Sequence, residues 1–260
     1  MTPSGLKQDP RIIIAATCFA DANQAIRVGA TLAAIAKSTI HAMLVEDDAI
    51  LRWAALPFAK ALTRSDRASR AVTPEAMQQA FSRDARTFEL ALHKAAQSTR
   101  TQWTFERRRG RTLQLLREMV HAGDLVLVGH QRSEPRQGEI VLFDIATPPD
   151  GPQLVLGLQL AQRLGCPLRL FLPHASLDAA RRGIADWRRI QTDPTTPQVT
   201  FADAEDHPGF MAHLDLARPS VVLISSTTEL ETDLSLIADT ARCPVLVHIR
   251  PHQGGGPTAQ

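Results

Sequence analysis

The sequence predicts an α/β protein made of two tandem units, each a parallel sheet covered by helices. Short apolar runs rich in β-branched residues alternate with stretches of helical periodicity, which is typical of parallel sheets. The two halves of the chain also share an order of elements. Residues 103–105 (WTF) match residues 199–201 (VTF), and residues 124–129 match residues 220–225, both at an offset of 96 positions. This common register favours a duplicated unit.

Residues 11–130 form the first predicted unit. A parallel strand covered on both faces appears as a short continuous apolar run, which predicts strands at residues 11–17, 39–45, 102–106 and 124–129. Helical periodicity and capping residues predict a helix after Asp21, a long helix from Pro74 to about Ala96 that is capped by Thr73, and a helix at residues 112–121.

A long insertion, residues 46–100, separates the second and third strands of this unit. The first strands of the two units, at Ile12 and Ile140, differ by 128 positions, so the first unit carries 32 extra residues here. The insertion is predicted to be mostly helical, with breaks at Pro57 and at residues 63–73. Apolar residues recur around Pro57, which makes Trp53, Phe58 and Leu62 candidates for a homodimer or partner contact. The alternative is packing on its own sheet or across a pseudo-twofold axis onto the other unit.

Residues 139–250 form the second predicted unit. Its strands are expected at residues 139–144, 167–172, 198–201, 220–225 and 244–248, separated by helices that begin at Asp150 and end at Gly165, and at residues 177–190, 209–216 and 229–241. The first unit lacks the last helix and strand, so we expect the other unit or the insertion to cover the edge of its sheet. The tails, residues 1–10 and 251–260, are predicted to be flexible.

Composition argues against several functional classes. The formal charge of +2 provides no strong field for nucleic acid or an anionic membrane, and the basic residues 107–111 lack interleaved aromatic side chains. No apolar run approaches the roughly 20 residues of a spanning helix, and the polar N-terminus is unlike a signal peptide, which predicts a cytoplasmic protein. Three separated cysteines and nine dispersed histidines indicate neither a disulfide framework nor a metal site, and no catalytic motif is present.

The end of the chain resembles a known family. Residues 238–247 (ADTARCPVLV) are similar to the last helix and strand of universal stress proteins, and the order of elements over residues 11–250 resembles a tandem member of that family. The resemblance implies an adenine-nucleotide-α-hydrolase-like fold with about five parallel strands in the order 3-2-1-5-4 in a complete unit. It also implies a role in stress response or signalling, with the two repeats paired within the chain.

The family's phosphate-binding loop is degenerate in both halves. Its ATP-binding members carry G-x-x-G-x9-G followed by Ser or Thr after the fourth strand, because glycine lets the backbone close around phosphates. In the first half Gly129 matches, but Arg132 and Leu142 replace the other glycines. In the second half none of the four positions matches; they are occupied by Ser225, Thr228, Ala238 and Asp239. The sequence therefore predicts a non-enzymatic protein without a cofactor that acts through protein contacts.

One alternative remains open, in which a crevice holds ATP with Mg²⁺ and hydrolyses it slowly. Asp144 stands at the family's acidic position, where the first half has Ala16 or Thr17. The candidate ligand-binding residues are Thr17, Gly129, His130, Asp144, Ser225, Ser226, Thr227 and Thr228. The competing interpretation is a strand-end carboxylate, a helix-capping cluster and an exposed polar loop.

Overall fold

The computed structural model describes residues 11–62, 69–130, 138–144, 151–191, 195–226 and 231–249. The strands are β1 (Ile12–Ala16), β2 (Ile40–Glu46), β3 (Lys60–Leu62), β4 (Ser69–Ala71), β5 (Trp103–Arg109), β6 (Leu125–Val128), β7 (Ile140–Phe143), β8 (Leu168–Leu172), β9 (Val199–Asp203), β10 (Val221–Ser226) and β11 (Val245–Ile249). The helices are α1 (Phe19–Ala36), α2 (Asp48–Ala54), α3 (Pro74–Thr99), α4 (Thr112–Met119), α5 (Gly151–Leu164), α6 (Leu177–Ile190), α7 (His207–Ala217) and α8 (Glu231–Ala241).

Nine of the strands form one large, mostly parallel sheet in the order β5-β2-β1-β6-β11-β10-β7-β8-β9. All neighbours are parallel except β6 and β11, which pair antiparallel from Val245 opposite Val128 to His248 opposite Leu125. Read inward from either end, the third, second, first and fourth main-sheet strands of each half follow one another in the same order. Strand β11 lies between the two sets and pairs with β10 on one side and with β6 on the other. The last strand of the chain therefore joins the N-terminal strands to the C-terminal strands.

The expected strand order of 3-2-1-5-4 is wrong for the C-terminal strands. Their order is β9-β8-β7-β10-β11, which is 3-2-1-4-5. The reason is that β10 pairs directly with β7, Val221 opposite Ile140, so β11 has to lie on the far side of β10. Only there can it also reach β6.

Two layers of helices cover the sheet. Alternate residues of a strand point to opposite faces, so Ile12 and Ile14 of β1 pack beneath one helical layer and Ile13 and Ala15 pack on the other side. The first layer contains α1, α3, α5 and α6, and the second contains α4, α7 and α8. Parallel strands joined by right-handed crossovers produce this division, because the connections that run outward and those that return inward lie on different faces.

The insertion is less helical than expected. The short helix α2 is followed by an antiparallel hairpin of β3 and β4, with Lys60 opposite Ala71, before the long helix α3 begins. The hairpin was missed because its two three-residue strands are too short to show a periodicity. The cap of α3 is confirmed, since the Thr73 hydroxyl accepts from the Ala76 amide at 3.2 Å.

Two further capping predictions have different outcomes. Asp21 does not cap α1; Cys18 stands at the N-cap position and Asp21 lies within the first turn. Gly165 does end α5, with a φ of +63° that suits glycine. Asp150, the expected cap of α5, lies outside the described residues.

Residues around α2 divide into a buried set and an exposed set. Leu51 and Ala54 are buried where α2 packs against α3. Trp53 is 42% exposed and Phe58 is 72% exposed, whereas the side chain of Leu62 lies outside the described part of the chain. Within the described residues this stretch therefore packs on a helix of its own half and leaves two aromatic side chains in solvent.

Candidate functional site

The carboxyl ends of β1 and β6 meet the N-terminus of α1, the kind of place where parallel α/β sheets bind ligands. Gly129 follows β6 and its amide donates to the Ala15 carbonyl at 2.9 Å. A Cβ atom on Gly129 would lie 2.6 Å from the Asp21 carbonyl oxygen and 3.3 Å from the Ala16 Cβ. The glycine is thus explained by the close approach of β6 to the first turn of α1, without any phosphate.

Replacing Gly129 with alanine is expected to lower the free energy of unfolding by about 2 kcal/mol, because overpacking against atoms that cannot move typically costs about 1–3 kcal/mol. Urea denaturation measures the change. Gly151→Ala is the matched control, since nothing lies within 4 Å of a Cβ at that position. A Gly129→Ala protein as stable as the parent would show that α1 can shift away at no cost, and it would contradict the packing role of Gly129.

Carboxylates occupy the N-terminus of α1. The Phe19 amide donates to Asp84 Oδ2 of α3 at 3.1 Å, and the Thr17 hydroxyl donates to Asp21 Oδ2 at 3.0 Å. Burial raises the pKa of the Cys18 thiol to about 11, and the charges of Asp21 and Asp84 act in the same direction. The thiol is therefore protonated at neutral pH and is a poor nucleophile. The N-terminus of α1 is the end of the helix dipole that would attract an anion, and the carboxylates of Asp21 and Asp84 already lie there.

His130 lies beside a residue from the far end of the chain. Its Nε2 atom is 3.3 Å from Asp239 Oδ1 of α8. The contact joins a residue that follows β6 in the N-terminal half to a residue of α8 in the C-terminal half. Sequence reasoning missed this pair, since only the antiparallel pairing of β6 with β11 brings residues 109 positions apart together.

Asp144 lies on the other side of the sheet along the strand direction, because β7 runs opposite to β1 and β6. It directly follows β7, its side chain is buried with 1% exposure, and its amide donates to the Phe171 carbonyl at 3.0 Å. Phe143 pairs with Ile224 of β10, so Asp144 and Ser225 occupy the next positions of that register. The side chains of Ser225 and Ser226, and the whole of Thr227 and Thr228, lie outside the described residues.

The candidate ligands therefore form two separate groups. Thr17, Gly129 and His130 lie at the carboxyl ends of β1 and β6, whereas Asp144 and Ser225 lie at the carboxyl ends of β7 and β10. Because β6 and β11 are antiparallel, these ends point to opposite edges of the sheet. No single ligand can contact both groups.

The basic run at residues 107–111 lies mostly in β5 itself. Arg107 pairs with Glu46 of β2, and Arg109 pairs with Asp48 of α2. Arg108 lies 3.6 Å from Glu118 of α4 and 3.7 Å from Glu106. Each of these three arginines has a carboxylate partner, so the run offers little net charge to a nucleic acid.

Among the residues that the structure describes, no three His, Cys, Asp or Glu side chains are grouped so that they could hold a metal ion. Nor does any helix within the described ranges have the length and apolar character needed to cross a membrane.

The chain is similar in structure to solved proteins, two of which are described below. None of the protein-family models and none of the curated proteins matches the chain. A solved universal stress protein from Archaeoglobus fulgidus aligns with 94% of this chain and 100% of its own, at 9% identity and a TM-score of 0.48. A protein of unknown function from Pseudomonas aeruginosa aligns over 94% of each chain, at 12% identity and a TM-score of 0.42. At these identities and scores the two likenesses carry no information about function.

Proposed function

We propose that this chain is a cytoplasmic stress-response or signalling protein of the universal stress type, with two repeats at residues 11–130 and 139–250. It acts through protein contacts and does not bind ATP in the family's usual way. One observation carries the proposal: the carboxylate of Asp84 accepts the hydrogen bond of the Phe19 amide at the N-terminus of α1. That amide is one of the groups that would otherwise bind a phosphate.

The energies favour exclusion of a polyphosphate from this end of α1. A helix N-terminus contributes about 0.3–1 kcal/mol, and at most about 2 kcal/mol, to a nearby negative charge. Two like charges about 4 Å apart repel by roughly 4 kcal/mol at an effective dielectric constant of about 20. A phosphate beside Asp84 and Asp21 would meet this repulsion more than once, so repulsion outweighs the attraction of the helix.

A thermal-shift titration with ATP and Mg²⁺ tests the proposal. A ligand that binds only the folded state must raise the melting temperature, so we expect no saturable rise for the parent protein. In the Asp84→Asn variant the melting temperature should rise slightly or not at all, because the substitution removes one of the two repelling charges. Asp178→Asn, at an exposed position in the first turn of α6, is the matched control. A saturable rise of several degrees in the parent protein would reverse the proposal.

A second candidate function is adenine-nucleotide binding with slow hydrolysis at the other edge of the sheet. The observation in its favour is Asp144, a buried carboxyl group that directly follows β7, where the family has its acidic residue. Mg²⁺ would be the accompanying ion, since carboxylate oxygens suit it. In the same titration, a rise in the parent protein that disappears in Asp144→Ala would support this function.

Protein contacts require a surface, and Trp53 and Phe58 provide the candidate. Exposed aromatic clusters are costly unless a partner covers them, and we propose that a second copy of the chain does so. Trp53→Glu and Phe58→Asp variants should then halve the mass measured by light scattering. Leu90→Asp, at a 70% exposed position of α3, is the control and should leave the mass unchanged. Folded variants with the parent's mass would refute the interface.

A further inference from the structure

A cleft of about 570 Å³ lies between α1 and α3, on the first helical layer. Its base is formed by small apolar side chains, those of Ala30 of α1 and of Ala91 and Ala95 of α3. Leu164, the last residue of α5, closes one side. Small side chains on two neighbouring helices leave a depression that larger residues would fill. The cleft thus touches helices from both halves of the chain.

The polar groups around the cleft carry positive charge only. Arg27 of α1 and Lys94 of α3 line it, and no Asp or Glu does. Within the described part of the chain, neither of these cations has an ion-pair partner, and the Asn23 side chain beside them has no hydrogen bond. Asn23, Arg27 and Lys94 are all exposed, so their donor groups face solvent and are accessible to an anion.

The hydroxyl groups at the cleft differ from the two cations, because they already donate hydrogen bonds within the protein. Thr31 donates to the Arg27 carbonyl at 2.9 Å, and Ser98 donates to the Ala95 carbonyl at 2.7 Å. These hydroxyls satisfy carbonyls of their own helices and do not compete for an anion. The arrangement is one of cationic donors above an apolar base.

We propose that this cleft binds a free anionic amphiphile, a carboxylate attached to an aliphatic chain. The carboxylate accepts from Arg27, Lys94 and Asn23, and the chain lies on the alanine base against Leu164. The volume falls within the roughly 300–1,000 Å³ of small-molecule sites, which combine apolar walls with a few polar groups. A nucleotide fits less well, since no lining residue is aromatic and a base would have nothing to stack on.

Octanoate is a suitable probe, tested by titration of the full-length protein and amide chemical shifts. Acetate has the same head group without the chain, and 1-octanol has the chain without the charge. We expect saturable shifts with octanoate at residues 23–31 and 91–99, and dissociation constants at least tenfold higher for the other two probes. Equal binding of all three probes, or shifts spread over the surface, would overturn the proposal.

Variants separate the charge from the shape of the cleft. Arg27→Glu combined with Lys94→Glu should weaken octanoate binding at least tenfold, because each cation becomes a like charge. Arg86→Glu, further towards the N-terminus of α3 and outside the cleft, is the control and should bind as the parent does. Ala95→Phe should abolish binding with both cations intact, because the ring fills the base. Parent-like binding by either cleft variant would contradict the assignment.

This inference is independent of the proposed function. The cleft is lined by helical residues, whereas the ATP titration tests residues at the strand ends. Either proposal can therefore be contradicted while the other stands. A melting temperature raised by octanoate but not by ATP and Mg²⁺ would support both.

Discussion

A chain that ends at Ser226, and so lacks α8 and β11, is expected to aggregate instead of folding as the parent does. Strand β11 pairs with β6 and with β10, so its removal exposes two unpaired edges in the middle of the sheet. Open apolar edges are templates for pairing with other chains. The same truncation uncovers Leu127 and Leu223, which are fully buried in the parent. Light scattering and size-exclusion chromatography measure the outcome.

The matched control is a chain that ends at Ile249, the last residue of β11. It loses only the tail and keeps every strand of the sheet, so we expect a monodisperse protein with the parent's melting temperature. If the chain ending at Ser226 also remained soluble and melted cooperatively at the same temperature, then β11 would not join the two halves in the way described.

Asp124→Ala is expected to lower the free energy of unfolding by about 3 kcal/mol, because breaking a buried ion pair typically costs about 3–5 kcal/mol. The lower end applies, since Arg11 remains 31% exposed and can be hydrated. Asp124 Oδ2 accepts from Arg11 Nη2 at 2.7 Å and from the His121 amide at 2.9 Å, and Oδ1 accepts from the Arg11 amide at 3.1 Å. The variant therefore leaves two backbone donors without their acceptor.

The control is Asp186→Ala, which breaks an exposed pair with Arg189. Exposed pairs contribute about 0.2–1 kcal/mol or nothing measurable, so urea denaturation should barely detect this change. Equal effects of the two substitutions would mean that the Asp124 network contributes no more than a surface pair.

The effect of Asp124 should also depend on pH. Burial by itself would raise the pKa of this carboxyl group, but the hydrogen bonds from Arg11 and His121 outweigh burial and lower the pKa. A group whose pKa is lower in the folded state stabilises the protein above its unfolded pKa of about 3.9. That stability is lost as the pH falls through the folded pKa. The difference between parent and Asp124→Ala should thus be full at pH 7 and shrink below about pH 4.

The strands of the main sheet could be predicted because their burial is visible in the chain itself. A strand covered on both faces needs apolar residues at successive positions, as in β1 and β10, whose predicted and observed limits differ by one residue at each end. The hairpin of β3 and β4 has no such pattern. It is a pair of three-residue strands in an insertion, too short to show a periodicity in the sequence.

The candidate sites were harder to predict because sequence motifs name residues without placing them. Gly129 appeared as a remnant of a phosphate loop, and its contact with the Asp21 carbonyl became visible only in three dimensions. The pairs of Phe19 with Asp84 and of His130 with Asp239 join residues 65 and 109 positions apart. The cleft between α1 and α3 has no motif, since small residues on helices are common.

The sequence by itself determined the alternation of strands and helices and their approximate limits, because burial and backbone freedom act residue by residue. The tertiary structure alone decided that β11 lies between β6 and β10, that the strand-end candidates lie at opposite edges, and that carboxylates occupy the N-terminus of α1. These features depend on which distant segments pair, and pairing is selected by the packing of the whole sheet and not by any local pattern.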